Sequence, residues 1–363
     1  MLIRPVQLRD LNSLESVEPE DTQWVRKVRE IRSWFGLVKL LNLVPNRFQH
    51  IFDVHVAQID GVVVGLIQVS PTNEIQSTWR IEHFTLGDPL QSQGLGTLLL
   101  AYIFEYYRTA KTWIVEADIH NKEQIAIYRQ NGFQSMAEIT YWRLPSAVLE
   151  NLAKVAIQSL NLRPVSNADA ALLCQLDCAT MPSMLRQVYD RHPDDFRRPL
   201  PDRIVFGINQ SLHQEEQVFE YVYEPQRRAA IGAFDLKISK QGLEPHRLTL
   251  WIHPAYTWLY RELLVHISKI LSHYPPQSLE LFAGDYQAER QSILESLEGE
   301  ITHTKLLMSR SVWHKVREFR NPLENLSLDM LPAWRPLTKP LMPEPVRDEF
   351  KKDAPDPQSS SPG

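Results

Sequence analysis

The chain has 363 residues, 43% hydrophobic, 23% charged and 9% aromatic, a composition that excludes disorder throughout and can fill about two domain cores. Its 39 basic and 44 acidic residues give a net charge of −5, which excludes the basic excess of a dedicated nucleic-acid binder. The apolar runs are shorter than the roughly 20 residues a membrane span needs, and Pro5 with flanking charges interrupts any signal-like segment, so a cytoplasmic protein is expected.

In chain order, Ile3-Arg4-Pro5-Val6 reads as a short strand leading through a polar turn into a helical pattern. Val25, Val28, Ile31, Phe35, Val38 and Leu41 then recur at helical spacing among Arg26, Lys27, Arg29 and Arg32. That helix either faces the core with a solvated basic side or forms a lid over a substrate. Val54 to Ile59 and Val62 to Ile67 flank Asp60-Gly61, the signature of a tight hairpin turn. A strand over Trp79 to Leu86, a glycine-bearing loop, a helix over Thr97 to Tyr107 and a strand over Thr112 to Ala117 follow. A helix from Lys122 to Gln130 stops at Asn131-Gly132, and a strand over Ile139 to Leu144 comes next. The expected fold class is α/β, a mixed sheet with flanking helices.

The opening motif recurs about 160 residues later as Leu162-Arg163-Pro164-Val165, with Asp10 and Leu14 matched by Asp169 and Leu173. The same element order follows: strands near Val218 to Tyr223, Ala230 to Ile238 and Arg247 to Ile252, helix Leu259 to Leu271, strand Leu279 to Ala283 and a helix from Ala288. The expected division is a first domain over 1–146, a linker over 147–160 containing a helix, a second domain over 161–320 and a proline-rich, disordered tail over 321–363. Cys174 and Cys178 stand four apart, too far for comfortable disulfide geometry on a helix, and read as two buried small hydrophobes. No His, Cys and Asp cluster has metal-ligand spacing, so no metal is expected.

The loop Gln91-Ser92-Gln93-Gly94-Leu95-Gly96 opens a helix, where backbone N–H groups and the helix dipole suit a phosphate; glycines at this spacing also serve ordinary turns. Further on stand Glu116-Ala117-Asp118-Ile119-His120-Asn121 and Ile125 to Phe133. Together these motifs, over roughly residues 1–146, resemble the GNAT superfamily of acetyl-CoA-dependent N-acetyltransferases, so the chain reads as tandem GNAT folds. The spacing of Glu116, Asn121 and Tyr128 is most similar to the branch that acetylates the N-terminal amines of ribosomal proteins.

The resemblance implies that acetyl-CoA is the co-substrate and an amine the acceptor, whether of a protein, a peptide or a small molecule. It implies that Gln91, Gln93, Gly94, Leu95, Gly96 and Thr97 form the diphosphate cradle and that strand backbone at Phe84 and Leu86 pairs with the pantetheine arm. Asn121 would hydrogen-bond that arm, and Tyr128 would aim its hydroxyl at the thioester sulfur. An amine near pKa 10.4 is less than about 0.1% neutral at pH 7, so a base is needed. Glu116, at a strand end, is the first candidate, and also reads as a surface carboxylate; Glu82, on the strand carrying Phe84 and Leu86, is the rival. Tyr128 is the candidate acid, although a phenol protonating a thiolate is uphill by about 2 kcal/mol with neither shifted.

Aligning Pro254 and Leu263-Leu264 with Pro89 and Leu98-Leu99 puts Tyr256, Leu259 and Arg261 where Gln91, Gly94 and Gly96 stand. Phe282 and Glu295 then replace Glu116 and Tyr128, so the second copy reads as a degenerate GNAT domain without coenzyme A, packed on the first. The expected function is direct acetyl transfer to an amine; an acetyl-CoA sensor without transfer activity is the alternative.

Overall fold

Two similar runs of strands and helices follow one another in the computed structural model, which describes residues 1–7, 10, 53–87, 94–156, 160–197 and 215–311. The first run comprises β1 (Leu2–Pro5), β2 (Val54–Ile59), β3 (Val62–Pro71), β4 (Thr78–Leu86), α1 (Leu95–Tyr106), β5 (Thr112–Asp118), α2 (Lys122–Gln130) and β6 (Gln134–Leu144). After α3 (Ser146–Ala153) the second run comprises β7 (Leu162–Pro164), α4 (Ala170–Thr180), α5 (Ser183–Tyr189), β8 (Glu215–Glu224), β9 (Ala229–Ser239), β10 (His246–Ile252), α6 (Leu259–Leu271), β11 (Leu279–Gly284), α7 (Ala288–Ser296) and β12 (Glu300–Ser311). The helical pattern around residues 25–41, Gln91, Gln93 and the proline-rich tail lie outside the described residues.

All these strands form one mixed sheet in the order β1-β2-β3-β4-β5-β12-β6-β11-β10-β9-β8-β7. The turn between β2 and β3 places Asp60 at φ 49° and Gly61 at φ 88°, the left-handed pair a two-residue hairpin turn needs. Both outer strands, β1 and β7, are short and end in proline, which blunts the open edges against further pairing.

The centre of the sheet departs from two self-contained halves. β12, last in the second run, lies between β5 and β6 of the first: Leu307 pairs with Glu116 and Lys305 with Asp118 on one side, and Lys305 with Ile139 on the other. β6 in turn pairs with β11, Leu144 opposite Leu279 and Ile139 opposite Gly284. Each run therefore lends its last strand to the other. The sequence of β12 suits this interior place, because Leu306, Leu307 and Met308 are consecutive and all buried, as expected of a strand covered on both faces.

One face of the sheet carries two cores. α1 buries Leu95, Leu99, Leu100 and Ile103 against Ile67, Trp79 and Phe84, while α6 buries Leu259, Leu263, Leu264 and Ile267 against Phe234, Leu250 and Leu281. On the opposite face Leu185 of α5 packs on Ala137 and Ile139 of β6 and Leu307 of β12. Cys174 and Cys178 on α4 are free thiols, the first buried and the second half-buried.

Each fully buried aliphatic side chain contributes roughly 1.5–3 kcal/mol, so the Leu306 to Met308 run is a large share of a stability margin of about 5–15 kcal/mol. Ending the chain before Glu300 should therefore abolish cooperative thermal unfolding followed by circular dichroism, whereas ending it after Ser311 should preserve one transition. An intact transition from the first run alone, without β12, would contradict the shared-strand architecture.

Candidate functional site

α1 begins at Gly94, whose φ of 79° is the left-handed conformation glycine adopts without strain. Among the described residues no side chain caps this helix and no acidic residue lies in its first turn, so its leading N–H groups and positive dipole end suit an anion. A Cβ on Gly94 would meet nothing within 4 Å, whereas one on Gly96 would press on Ile127, Leu86 and Phe84 at 3.2 Å. Gly94 thus stands at an open position among the described residues, while Gly96 lets the helix approach β4. Leu95 is buried and Thr97 exposed, its Oγ1 accepting from Asn131 Nδ2 at 3.1 Å.

Beside this helix end the sheet splits. β4 and β5 are parallel and paired from Thr78 with Thr112 up to Ile81 with Val115, where the pairing stops. At the same level the β3–β4 register slips, so that Gln68 pairs with His83 and Val69 with Ile81, leaving Glu82 as the bulged residue. The bulge corrects the simple alternation that put Glu82 on the face of Phe84 and Leu86. Ile81 and Phe84 both enter the core, and Glu82 is exposed.

The carbonyl of Phe84 faces the gap and accepts from Gln124 Nε2 of α2 at 3.1 Å. Two residues on, the backbone of Leu86 points the same way. Asn121 caps α2, its Oδ1 accepting from the Gln124 N–H at 3.0 Å. Tyr128 is buried between Phe84 and Phe133, with ring centroids 5.6 and 5.4 Å away, and burial pushes its phenol up.

On the other face of the split lies a charged cluster that sequence reasoning saw only in part. Arg80 Nη1 of β4 donates to Glu116 Oε1 at 2.8 Å, and the Tyr141 hydroxyl of β6 donates to Oε2. Burial pushes the Glu116 carboxyl up, but Arg80, the Tyr141 hydroxyl and Lys305 outweigh it and hold the carboxyl below its ordinary range. Arg80 Nη2 also reaches the Tyr189 hydroxyl at 3.5 Å.

Tyr189 belongs to α5, whose end is tied to the turn before β4. Thr78 Oγ1 donates to the Val188 carbonyl at 2.7 Å, Ser77 Oγ to Asp190 Oδ2 at 2.7 Å and Arg191 Nη1 to the Thr72 carbonyl at 2.6 Å. Glu82 makes no direct hydrogen bond to this lattice among the described residues, although its charge acts on Arg80; its Oε1 accepts from Ser70 Oγ at 2.5 Å. Arg80, Gln124, Tyr141 and Tyr189 were absent from the sequence reading because only long-range pairing brings them together.

The second run contains the same frame with different contents. Gly65 of β3 is approached by Leu95, Leu99 and the Thr85 carbonyl, and Gly232 of β9 by Leu259, Leu263 and the Trp251 carbonyl. Leu259 is thus the counterpart of Leu95, which corrects the sequence alignment by one residue. Trp258 and Tyr260, rather than Leu259 and Arg261, stand where Gly94 and Gly96 do.

The helix-ending bonds set the α7 register in the same way. Phe133 N–H donates to the Tyr128 carbonyl and Gly299 N–H to that of Leu294, so Tyr128 corresponds to buried Leu294 and not to Glu295. β9 and β10 pair without a bulge, and β10 parts from β11 after Arg247 and Glu280. Into that gap α7 sends Arg290, the counterpart of Gln124 and 2% exposed. Its guanidinium donates to the Leu250 carbonyl of β10 at 2.7 Å and to the Phe282 carbonyl of β11 at 3.0 Å.

Among the described residues no group of three His, Cys, Asp or Glu side chains could hold a metal, and no helix is long and apolar enough to cross a membrane.

Residues 7–133 match the profile of the acetyltransferase (GNAT) family, so this stretch carries a GNAT domain. The whole fold is similar to a GCN5-related N-acetyltransferase from Sphaerobacter thermophilus, at 10% identity and TM-score 0.51 over 86% of this chain and 95% of that one. It is also similar to a tandem GNAT protein from the clavulanic acid biosynthesis pathway, at 13% identity and TM-score 0.51 over 85% of this chain and 98% of that one. No curated protein matches the sequence.

Removing Arg290 strands one buried and one part-buried carbonyl, so Arg290→Met should cost about 2–4 kcal/mol in denaturant unfolding, and Gln124→Met about 1 kcal/mol or less. Equal losses would show that Arg290 does not brace the second gap.

Proposed function

We propose that the chain is an acetyl-CoA-dependent N-acetyltransferase with one active site in the first half, transferring the acetyl group directly to an amine in a ternary complex. The observation that carries this reading is the uncapped start of α1 at Gly94, set beside the split between β4 and β5, with Glu82 and Glu116 on the far side of that split. The GNAT profile match over residues 7–133 supports acyl transfer from an acyl-CoA in general.

In this reading the amides of Gly94, Leu95, Gly96 and Thr97 hold the diphosphate of the co-substrate, which supplies the activated acetyl group when bound. Gln91 and Gln93 extend the same loop but lie outside the described residues. The backbone of Phe84 and Leu86 offers the strand edge for the pantetheine arm once Gln124 releases the Phe84 carbonyl. Asn121, with its oxygen spent on the helix cap, keeps its amide N–H groups for that arm. With its phenol pushed up by burial, Tyr128 serves by hydrogen bonding to the developing thiolate rather than by giving up its proton.

We place Glu82 ahead of Glu116 as the base. Both oxygens of Glu116 are already engaged, by Arg80 and Tyr141, whereas Glu82 is exposed with Ser70 as its hydrogen-bond partner. Glu116 then orients Arg80 and Tyr141 around the acceptor. The acceptor is an amine of a protein, peptide or small molecule, and the Glu116, Asn121 and Tyr128 spacing supports the N-terminal-amine branch. The second half binds no coenzyme A, since Trp258 and Tyr260 stand at its helix start and Arg290 spans its gap. A cytoplasmic place of action belongs to the same reading.

The alternative, a sensor that binds acetyl-CoA and transfers nothing, draws support from the fully engaged Glu116. Calorimetry and a thiol-release assay over an amine and peptide panel separate the two. Gly94→Val should remove detectable acetyl-CoA binding in a folded protein. Glu82→Gln should retain binding while turnover falls about 10²-fold or more. Loss of that size in Glu116→Gln alone would make Glu116 the base, and binding without thiol release from any acceptor would favour the sensor.

A further inference from the structure

The face of the sheet that bears Glu116 carries several charged side chains, and most of them have a partner. Arg80 pairs with Glu116 at 2.8 Å, Arg143 with Glu280 at 2.8 Å and Arg191 with Asp177 at 3.5 Å. Lys305 of β12 is different. It pairs in register with Asp118, yet Asp118 turns its Oδ1 to the His120 N–H at 2.8 Å, and no carboxylate among the described residues lies within ion-pair distance of Lys305. Its Nζ sits 5.3 Å from the centre of the Tyr141 ring, the same ring whose hydroxyl donates to Glu116.

Lys305 is half-buried, so its charge is less screened than that of a surface lysine. Glu82, across the split, likewise makes no direct ion pair among the described residues; Ser70 Oγ donates to it, and it acts on Arg80 only at longer range. Leu307 is the residue opposite Glu116, and Lys305 lies two positions before it in β12 on the same face, about 7 Å away by strand geometry. A four-carbon stem can close that distance. Among the described residues the acceptor side therefore carries one carboxylate and one ammonium that form no direct ion pair, with the Arg80–Glu116 pair between them; Lys305 acts on Glu116 and Glu82 on Arg80 only at longer range. A plain alkylammonium would meet Glu82 but leave Lys305 without a direct ion pair, whereas an amine with its own negative group supplies one to each.

We propose that Lys305, carried into the first half's cleft by the last strand of the second half, binds an anionic group on the acceptor, so that the substrate class is an amine bearing a carboxylate or a phosphate. This rests on the acetyltransferase reading. It also assigns the second half a part in the reaction: that half supplies the specificity-determining side chain through β12.

The test compares thiol release from acetyl-CoA with matched amines. Amino acids with the amine and carboxylate at increasing separation, from L-alanine to 6-aminohexanoate, form one arm. O-phosphoethanolamine forms a second, and the corresponding neutral amines and amino-acid amides a third. The native chain should favour an anionic arm over the neutral arm by at least tenfold in kcat/KM, and the better anionic arm distinguishes carboxylate from phosphate.

Lys305→Met keeps the stem on Tyr141 and should erase that preference while leaving acetyl-CoA affinity by calorimetry unchanged; Lys305→Arg should restore most of it. No preference in the native chain, or a preference that survives Lys305→Met, would overturn the inference. Acetyl-CoA binding with no panel amine acetylated would overturn it as well, and absence of acetyl-CoA binding would instead sink the reading it rests on.

Discussion

The exchange of terminal strands at the centre of the sheet is the constraint on which the remaining features depend. β12 gives β5 its second neighbour and β6 gives β11 its second neighbour, and the two exchanged strands also pair with each other. Neither half can complete its sheet alone, because a central strand stripped of its partners would leave a row of backbone N–H and C=O groups unpaired in an apolar setting. The exchange also has a chemical consequence. Tyr141 leaves the first run to lie beside Phe282 and still reaches Glu116, while Lys305 and His303 arrive from the second run around the same tyrosine ring.

One frame has taken two courses. In the first half a bulge at Glu82 widens the split beside β4, glycine stands at the helix start, and the neutral Gln124 makes a single bond to the Phe84 carbonyl. In the second half the ladder is regular, aromatic side chains stand at the helix start, and Arg290 ties both strands together. A guanidinium with two carbonyl acceptors, lying 5.3 Å from the centre of the Tyr260 ring, is held far more firmly than a glutamine with one. The difference between a gap crossed by one glutamine bond and a braced one thus comes down to a few side chains on a common frame.

Much of this was legible in the sequence, and the remainder has physical reasons for being hidden. The Asp60-Gly61 hairpin, the α6 helix and the Asn131-Gly132 stop are local, encoded by turn chemistry and a 3.6-residue period, so pattern reading reached them. Most of the order of elements in both runs was legible on the same grounds, but α5 and β12 were not among the elements read, and the loop before Gly94 lies outside the described residues. The Leu306 to Met308 run shows that a strand is buried on both faces but carries no information on which strands flank it. The bulge at Glu82 could not be seen, since one extra residue in a ladder leaves composition unchanged while reversing the alternation that follows. The second-half alignment slipped by one because Leu263-Leu264 matches the apolar run Leu98 to Leu100 almost as well in either register; the approach of Leu259 to Gly232 settles it.

The central claim is that the two halves share one frame and that a single gap in it can accept acetyl-CoA. Isothermal titration of the full chain with acetyl-CoA tests this most directly, since the second gap is braced and the first is not. The account predicts one equivalent bound per chain. Two equivalents would contradict it, and so would one equivalent that persists in full when Gly94 carries a side chain.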